Sequence, residues 1–123
     1  MNPREIEATL AAMEQNIAAI RAVRDEIKAT IEALRALKEN ESGLFNVGGG
    51  VLVPAKMEGD KVFVSVGAGV ALHVDVDKAI EILKKRLEAA EKALERAVKE
   101  RNAFIEKLRQ MQSRKSESNA GRP

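Results

Sequence analysis

Residues 43–76 read GLFNVGGGVLVPAKMEGDKVFVSVGAGVALHVDV and hold seven of the chain's eight glycines. Glycines clustered in this way either cradle a phosphate or reverse the chain between strands. A Walker-type phosphate loop places Lys and then Ser or Thr after its last glycine, whereas Val51 and Leu52 follow Gly50 here. A dinucleotide-binding fingerprint lies between a strand and a helix, whereas these glycines lie between strand-like segments. We therefore interpret them as turn residues.

Short apolar segments on either side of the glycines alternate as β-strands do. Apolar residues recur at every second position over 62–66 and over 70–74, and Gly67-Ala68-Gly69 separates the two segments. This arrangement predicts a β-hairpin. Segments 44–47 and 51–57, separated by three more glycines, predict a second hairpin. The region from 44 to 74 is thus expected to form four strands in two hairpins.

The predicted strands carry more apolar surface than a single chain of this kind can cover. Val62, Val64 and Val66 share one face of their strand. Pro54 has no backbone N–H, which indicates an edge, a bulge or a strand end at that position. We expect a four-stranded sheet that pairs with other subunits and closes into a β-barrel. The residues expected to make these subunit contacts are Val51, Val53, Val62, Val64, Val66, Val70 and Leu72.

Residues 3–40 have the heptad spacing of a long helix. Apolar side chains recur at intervals of three and four from Ile6 to Leu34, which is the pattern of a coiled-coil seam. Asn2 supplies a cap, a proline follows it, and Glu5 stands three residues after the cap. This combination is typical of a helix start.

Residues 76–112 predict a second helix of the same kind. Its seam runs from Ile80 to Met111 at the same intervals, and either Asp75 or Asp77 can cap its first turn. Two such helices on either side of a compact insert should fold back on each other as an antiparallel coiled coil. The fold class predicted from the sequence is therefore α+β.

One arginine interrupts each seam, Arg24 in the first helix and Arg101 in the second. An arginine at such a position usually lays its stem along the seam and keeps its guanidinium in water, which is the interpretation we favour. The alternative is that the two arginines set the register by pairing with carboxylates such as Glu91 or Glu14.

Composition narrows the functional classes. The 123 residues, 33% charged and 2% aromatic, indicate one domain rich in long helices. The absence of cysteine, of a signal peptide and of a membrane-length apolar run leads us to expect a cytoplasmic protein. The net charge of +2 and the lack of a basic stripe argue against nucleic-acid binding. Residues 113–123 are expected to be disordered, and the tail from Arg114 to Arg122 leaves a nucleic-acid binder as a rival interpretation.

No combination of residues predicts catalysis. His73 is the only histidine, and we expect it to face solvent on a strand. Asp75 and Asp77 suit helix capping, and Ser65 lacks the glycine elbow of a nucleophile. A lone histidine without cysteine is a poor metal site. We therefore expect no enzyme activity, no metal and no cofactor.

The central motifs resemble those of the α-class subunits of prefoldin, the archaeal and eukaryotic co-chaperone. The segments that carry the resemblance are Val51–Met57, Asp60–Leu72 and Asp77–Glu81. Two positions depart from the family pattern: Val70 stands where an aromatic residue is usual, and His73 stands near a usual glutamate. The resemblance implies one prefoldin-like domain, with helix 1 over 3–40, hairpins over 44–74 and helix 2 over 76–112.

The same resemblance implies a function. Prefoldin is a hexamer of two α and four β subunits, whose hairpins form a β-barrel platform. The tips of its coiled coils hold unfolded polypeptides without ATP and pass them to a group II chaperonin. By this resemblance the client-binding tip residues are Ile6, Leu10, Met13, Phe104, Ile105, Leu108 and Met111. The alternative is a structural, filament-forming scaffold of the same fold.

Overall fold

A computed structural model describes the backbone of residues 1–120 and the side chains of residues 1–114. The elements in chain order are helix α1 (Pro3–Glu39), strands β1 (Ser42–Gly48), β2 (Val51–Lys56), β3 (Lys61–Gly67) and β4 (Val70–Asp75), and helix α2 (Val76–Ala120). The prediction of two long helices with two hairpins between them is confirmed. The chain divides into two compact units: a terminal unit of residues 1–23 and 90 onward, and a central unit of residues 24–89.

Both helices begin at side-chain caps. The Asn2 carboxamide oxygen accepts a hydrogen bond from the Glu5 N–H at 2.8 Å, and the Glu5 carboxylate accepts one from the Asn2 N–H at 3.2 Å. This reciprocal pair is a capping box. At the start of α2, the Asp75 carboxylate accepts a hydrogen bond from the Lys78 N–H at 2.7 Å. Of the two aspartates that could cap this helix, Asp75 is the one that does.

Helix α2 continues beyond the predicted boundary at residue 112. The apolar seam fades there, but no glycine or proline lies between residue 112 and Gly121. The helix extends to Ala120. A seam provides packing, whereas backbone hydrogen bonds and helix propensity can carry a helix further. Residues 121–123, the end of the segment predicted to be disordered, lie outside the described residues. Within residues 1–120, neither helix has an apolar stretch long enough to cross a membrane.

The strands form two separate antiparallel sheets, β1 with β2 and β3 with β4. The expectation of a single four-stranded sheet is therefore wrong. A physical obstacle lies on β2, where Pro54 pairs with Leu44 and has no N–H to offer to a further strand. Each hairpin has an irregularity beside its turn, between Asn46 and Gly48 in the first and between Ser65 and Gly67 in the second.

The core of the central unit joins both helices to the second hairpin. Ile31, Val76, Ile80 and Leu83 form a buried cluster. Packed against it are Ile27, Leu34, Met57, Val62 and Leu87. Full burial of one such aliphatic side chain contributes about 1.5–3 kcal/mol to folding. Because Val62 belongs to β3, the hairpin β3–β4 rests on the helices through the face that carries this residue.

Val64 lies on the same face and is only 8% exposed. Its own chain encloses most of the Val64 side chain, and the expected contact of Val64 with other subunits stays a prediction. The sequence pattern showed which face of β3 is apolar. It did not show that this chain's own helices cover part of that face. Val66, two residues further along the strand, remains exposed.

In the terminal unit, α1 and α2 pack along the predicted seams. Ile17 is fully buried, at 1% exposure, and Ala97 of α2 is also buried. The Glu14 and Arg101 side chains form an ion pair that joins the helices. Other seam residues of this unit are half-buried: Ile6, Leu10, Met13, Ile20, Ala90, Leu94, Phe104 and Leu108. Two helices share only one seam, which explains why most of these side chains keep some exposure.

Candidate interaction surfaces

The hairpin β1–β2 exposes apolar side chains on both of its faces. Residues directly opposite each other in an antiparallel pair project to the same side, so Phe45 shares a face with its partner Val53. Leu44 and Leu52 project to the other side, and all four side chains are exposed. Soluble chains seldom leave an apolar patch on both faces of a strand pair uncovered. This hairpin therefore has the surface of an unpartnered interface.

The two faces of the hairpin β3–β4 have different surroundings. One face rests on the helical core, as described above for Val62 and Val64. The other carries Phe63, which is 73% exposed and stacks on the ring of His73 with centroids 4.4 Å apart. These two residues are direct cross-strand partners. Stacking leaves the outer face of the Phe63 ring open to a further contact.

The exposed apolar side chains of the four strands together form what we call the hairpin surface. Its members are Leu44, Phe45, Val47, Val51, Leu52, Val53, Phe63, Val66, Val70 and Leu72. Five of the seven residues predicted to contact other subunits lie on it: Val51, Val53, Val66, Val70 and Leu72. Of the other two, Val64 is buried and Val62 is half-buried against the core cluster.

Sequence reasoning missed the hairpin-surface residues Leu44, Phe45, Val47, Leu52 and Phe63. The signal that could have found most of them is the break in alternation. Leu44 and Phe45 are consecutive apolar residues, as are those of segment 51–53. Consecutive apolar residues are typical of a strand that is covered on both faces.

The predicted client-binding residues all lie in the terminal unit. Ile6, Leu10 and Met13 of α1 and Phe104 and Leu108 of α2 occupy the seam and are half-buried. The remaining two are open to solvent, because Ile105 is 36% and Met111 is 59% exposed. We refer to these seven residues as the tip cluster. The helix pair thus leaves part of this apolar set uncovered.

The two seam arginines, Arg24 and Arg101, have different kinds of ion-pair partner. The Arg101 Nη1 lies 3.1 Å and 3.3 Å from the two carboxylate oxygens of Glu14 on the opposite helix. This is the register-setting alternative, rather than the solvent-directed guanidinium we favoured. The Arg24 Nε instead lies 3.0 Å from a carboxylate oxygen of Asp25, its neighbour on α1. Only Arg101 therefore matches the cross-helix pairing.

The polar residues considered for catalysis have structural contacts. Asp75 caps α2, and Asp77 pairs with Lys38 of α1 at 2.6 Å. The Ser65 carbonyl accepts a hydrogen bond from Arg86 Nη2 at 2.7 Å, and His73 stacks on Phe63 as described above. Among the described residues, no group of three or more acidic, histidine or cysteine side chains is arranged to hold a metal ion.

The sequence pattern shared by prefoldin subunits matches residues 6–119, which is most of the chain and both predicted interaction surfaces. The chain belongs to the prefoldin family. Similar relatives within this family include α subunits. Prefoldin subunit alpha of Methanosarcina mazei is 35% identical over 115 residues, which covers 92% of this chain and 72% of that protein.

A second prefoldin relative matches over a shorter stretch of this chain. Prefoldin subunit alpha 1 of Methanocaldococcus jannaschii is 32% identical over 90 residues, covering 73% of this chain. The match spans 63% of the length of that relative. Together with the Methanosarcina protein, it places the chain in the α class of prefoldin.

The prefoldin fold is also evident from a solved structure. Filamentous PFD from Methanocaldococcus jannaschii, determined by cryo-EM, superimposes with a TM-score of 0.74 over 90% of this chain and 95% of that one. The two sequences are 19% identical, so this likeness shows the fold.

Proposed function

We propose that this chain is the α subunit of an ATP-independent co-chaperone. Its hairpin surface assembles with β-class prefoldin subunits into a hexamer of two α and four β chains. Its tip cluster holds unfolded polypeptides and passes them to a group II chaperonin in the cytoplasm. The observation that carries the proposal is the hairpin β1–β2, which is apolar and exposed on both faces.

Assembly follows from the position of the uncovered apolar surface. The helices already use the Val62 and Val64 face of β3, so the central unit has satisfied its own packing. What remains exposed, from Leu44 on β1 to Leu72 on β4, belongs to the strands. Interfaces between permanent subunits resemble a divided hydrophobic core. Neighbouring hairpins of the same kind are the natural cover, and a ring of them forms a β-barrel.

Client binding follows from the composition and exposure of the tip cluster. Met111 and Ile105 are exposed, and their seam neighbours are half-buried. Flexible apolar side chains such as methionine can pack against many different surfaces, which suits clients of unrelated sequence. Terminal helix turns also open more readily than internal ones, which enlarges the apolar surface available to a client.

The proposal is tested by suppression of aggregation. The chain co-expressed with a β-class prefoldin subunit is mixed with a chemically denatured client, and light scattering is followed with and without ATP. We expect suppression at stoichiometric concentrations in both conditions. Transfer is measured by adding a group II chaperonin and following the labelled client into the chaperonin fraction. Scattering equal to that of the client alone would overturn the proposed function.

A filament-forming scaffold is the second candidate. The solved relative with the same fold is described as filamentous, and both hairpins here are two-stranded sheets with open sides. Sedimentation of the purified chain separates the candidates. A scaffold forms large particles alone, whereas an α subunit forms its defined complex only when the β-class subunit is present.

A further inference from the structure

The part of α2 that carries the tip cluster differs in charge from the rest of the helix. Over residues 76–100, seven cations are mixed with six carboxylates, and pairs such as Lys99 with Glu95, 3.0 Å apart, join neighbouring turns. Residues 101–114 contain one carboxylate, Glu106, and four cations. The four cations are Arg101, Lys107, Arg109 and Arg114. Charge is thus nearly balanced over the first part of α2 and positive over residues 101–114.

These cations neighbour the two exposed members of the tip cluster, Ile105 and Met111. Residues three and four positions apart are neighbours on a helix surface. Ile105 has one arginine four residues before it and another four residues after it. Met111 has Lys107 four residues before it and Arg114 three residues after it. No carboxylate of the sequence lies at these spacings from either apolar residue on α2.

Two of the four cations have carboxylate partners. The Arg101 guanidinium is paired across the helices, as described above, and the Arg109 Nη1 lies 3.7 Å from a carboxylate oxygen of Glu106. Lys107 and Arg114 are exposed, and neither forms an ion pair with a carboxylate among residues 1–114. A cation of this kind, next to an exposed apolar side chain, is available to a carboxylate of a bound molecule.

The carboxylates of α1 in the terminal unit have other positions. Glu5 belongs to the capping box at the start of α1, and Glu14 is the partner of the seam arginine. Glu7 is the third, and it lies three residues before Leu10, a half-buried member of the tip cluster. The part of the cluster that is open to solvent is therefore bordered on α2 by positive charge.

We propose that the tip cluster selects one class of client segment: unfolded stretches in which apolar side chains are interspersed with aspartate or glutamate. The apolar side chains of such a segment cover Ile105 and Met111, and its carboxylates pair with Lys107 and Arg114. Complementary charges of this kind contribute more to selectivity and association rate than to affinity, and salt weakens them. The inference rests on client binding at the tip cluster, as given under Proposed function, and specifies the chemistry of the client.

Two labelled model peptides test this selectivity. Both are unstructured and contain the same leucines; one has glutamate between the leucines, and the other has glutamine. Fluorescence anisotropy measures their binding to the complex of this chain with a β-class prefoldin subunit. At about 50 mM salt we expect the glutamate peptide to bind about tenfold more tightly than the glutamine peptide. At about 500 mM salt the difference should fall below about threefold.

Two double variants locate the selectivity on the chain. Lys107→Gln with Arg114→Gln should weaken binding of the glutamate peptide about fivefold and leave binding of the glutamine peptide within about twofold. The matched control is Arg21→Gln with Arg96→Gln, which removes the same charge from exposed positions of the terminal unit outside the tip cluster. The control should bind both peptides as the unmodified complex does. Equal binding of the two peptides, or equal losses in the two double variants, would overturn the inference.

The same measurements separate this inference from the proposed function and from nucleic-acid binding. A complex that suppresses aggregation and binds both peptides equally contradicts the client class but leaves the proposed function intact, whereas a complex that binds neither peptide contradicts both. Labelled single-stranded DNA carries negative charge without leucine side chains, so it should bind at least about tenfold more weakly than the glutamate peptide at low salt. Tighter binding of the DNA, lost in the Lys107→Gln, Arg114→Gln variant, would assign these cations to nucleic acid and overturn the inference.

Discussion

The Arg101 guanidinium contacts both carboxylate oxygens of Glu14 across the helix pair, at 3.1 Å and 3.3 Å. The Arg101 side chain is 20% exposed and that of Glu14 is 54% exposed. The pair lies between the fully buried Ile17 and the tip cluster. It is therefore a polar contact between residues of the two helices, in a part of the seam that is otherwise apolar.

A double-mutant cycle measures this contact. With Arg101→Ala and Glu14→Ala, we expect a coupling free energy of about 0.5 kcal/mol, because the pair is partly solvated. The control cycle is Arg24→Ala with Asp25→Ala, whose pair lies on one helix at adjacent positions. The control should give no measurable coupling. Thermal unfolding followed by circular dichroism is the measurement, and equal coupling in the two cycles would contradict a cross-helix register role for Arg101.

The cap of α2 is a second target. Asp75→Ala should lower the free energy of unfolding by about 1 kcal/mol, because the Lys78 N–H loses its acceptor. The matched control is Asp77→Ala, which removes an exposed ion pair with Lys38 and should lower it by less than about 0.5 kcal/mol. Urea unfolding of the two variants gives the comparison. A larger loss at Asp77 than at Asp75 would contradict the assignment of the cap.

Two valines on the strands separate folding from assembly. Val64 is enclosed by its own chain, so Val64→Asp should lower the free energy of unfolding by about 3 kcal/mol or more. Val53 is exposed on β2, so Val53→Asp should leave the helical content unchanged and prevent assembly. Circular dichroism reports the first effect and sedimentation the second. Normal assembly of Val53→Asp would show that this face of the hairpin stays uncovered.

The tip cluster is tested by removing its exposed members. The double variant Ile105→Ser, Met111→Ser should assemble normally and lose most of its suppression of client aggregation, since these side chains are the open part of the cluster. Val23 is an exposed apolar residue outside the cluster, and Val23→Ser should keep full suppression. Light scattering with a denatured client is the assay. Full suppression by the double variant would contradict client binding at this cluster.

Local sequence signals predicted much of the fold. The capping box of Asn2 and Glu5 and the heptad seams gave the start of α1 and the face on which both helices pack, because these signals depend on neighbouring residues only. The turn glycines likewise marked both hairpins. Six of the glycines between Gly48 and Gly69 have positive φ angles, from 60° to 107°, which is the conformation that glycine adopts without strain.

Long-range choices were not predictable in the same way. Either Asp75 or Asp77 could have capped α2; the Lys78 N–H binds Asp75, whereas Asp77 pairs with Lys38 of the distant helix α1. Alternation along β3 identified an apolar face. Whether the helices or a second subunit cover Val64 depends on how the hairpin lies on the core, which periodicity does not specify.

The candidate surfaces also include residues that local sequence signals identify and residues that depend on long-range packing. The resemblance to prefoldin, together with the heptad positions, predicts the tip cluster, and the structure leaves Ile105 and Met111 exposed there. On the hairpins, an alternating pattern does not select Leu44, Phe45 and Leu52. Strands covered on both faces do not alternate, so those residues required knowledge of the register and exposure of the hairpin.

The central claim is that the hairpin surface is built to be covered by other subunits. The most direct measurement is the mass of the intact complex, obtained by native mass spectrometry after co-expression with a β-class prefoldin subunit. The account predicts one species of two copies of this chain and four of its partner, lost in the Val53→Asp variant. A free, folded monomer as the only species, with its strands still open to solvent, would contradict it.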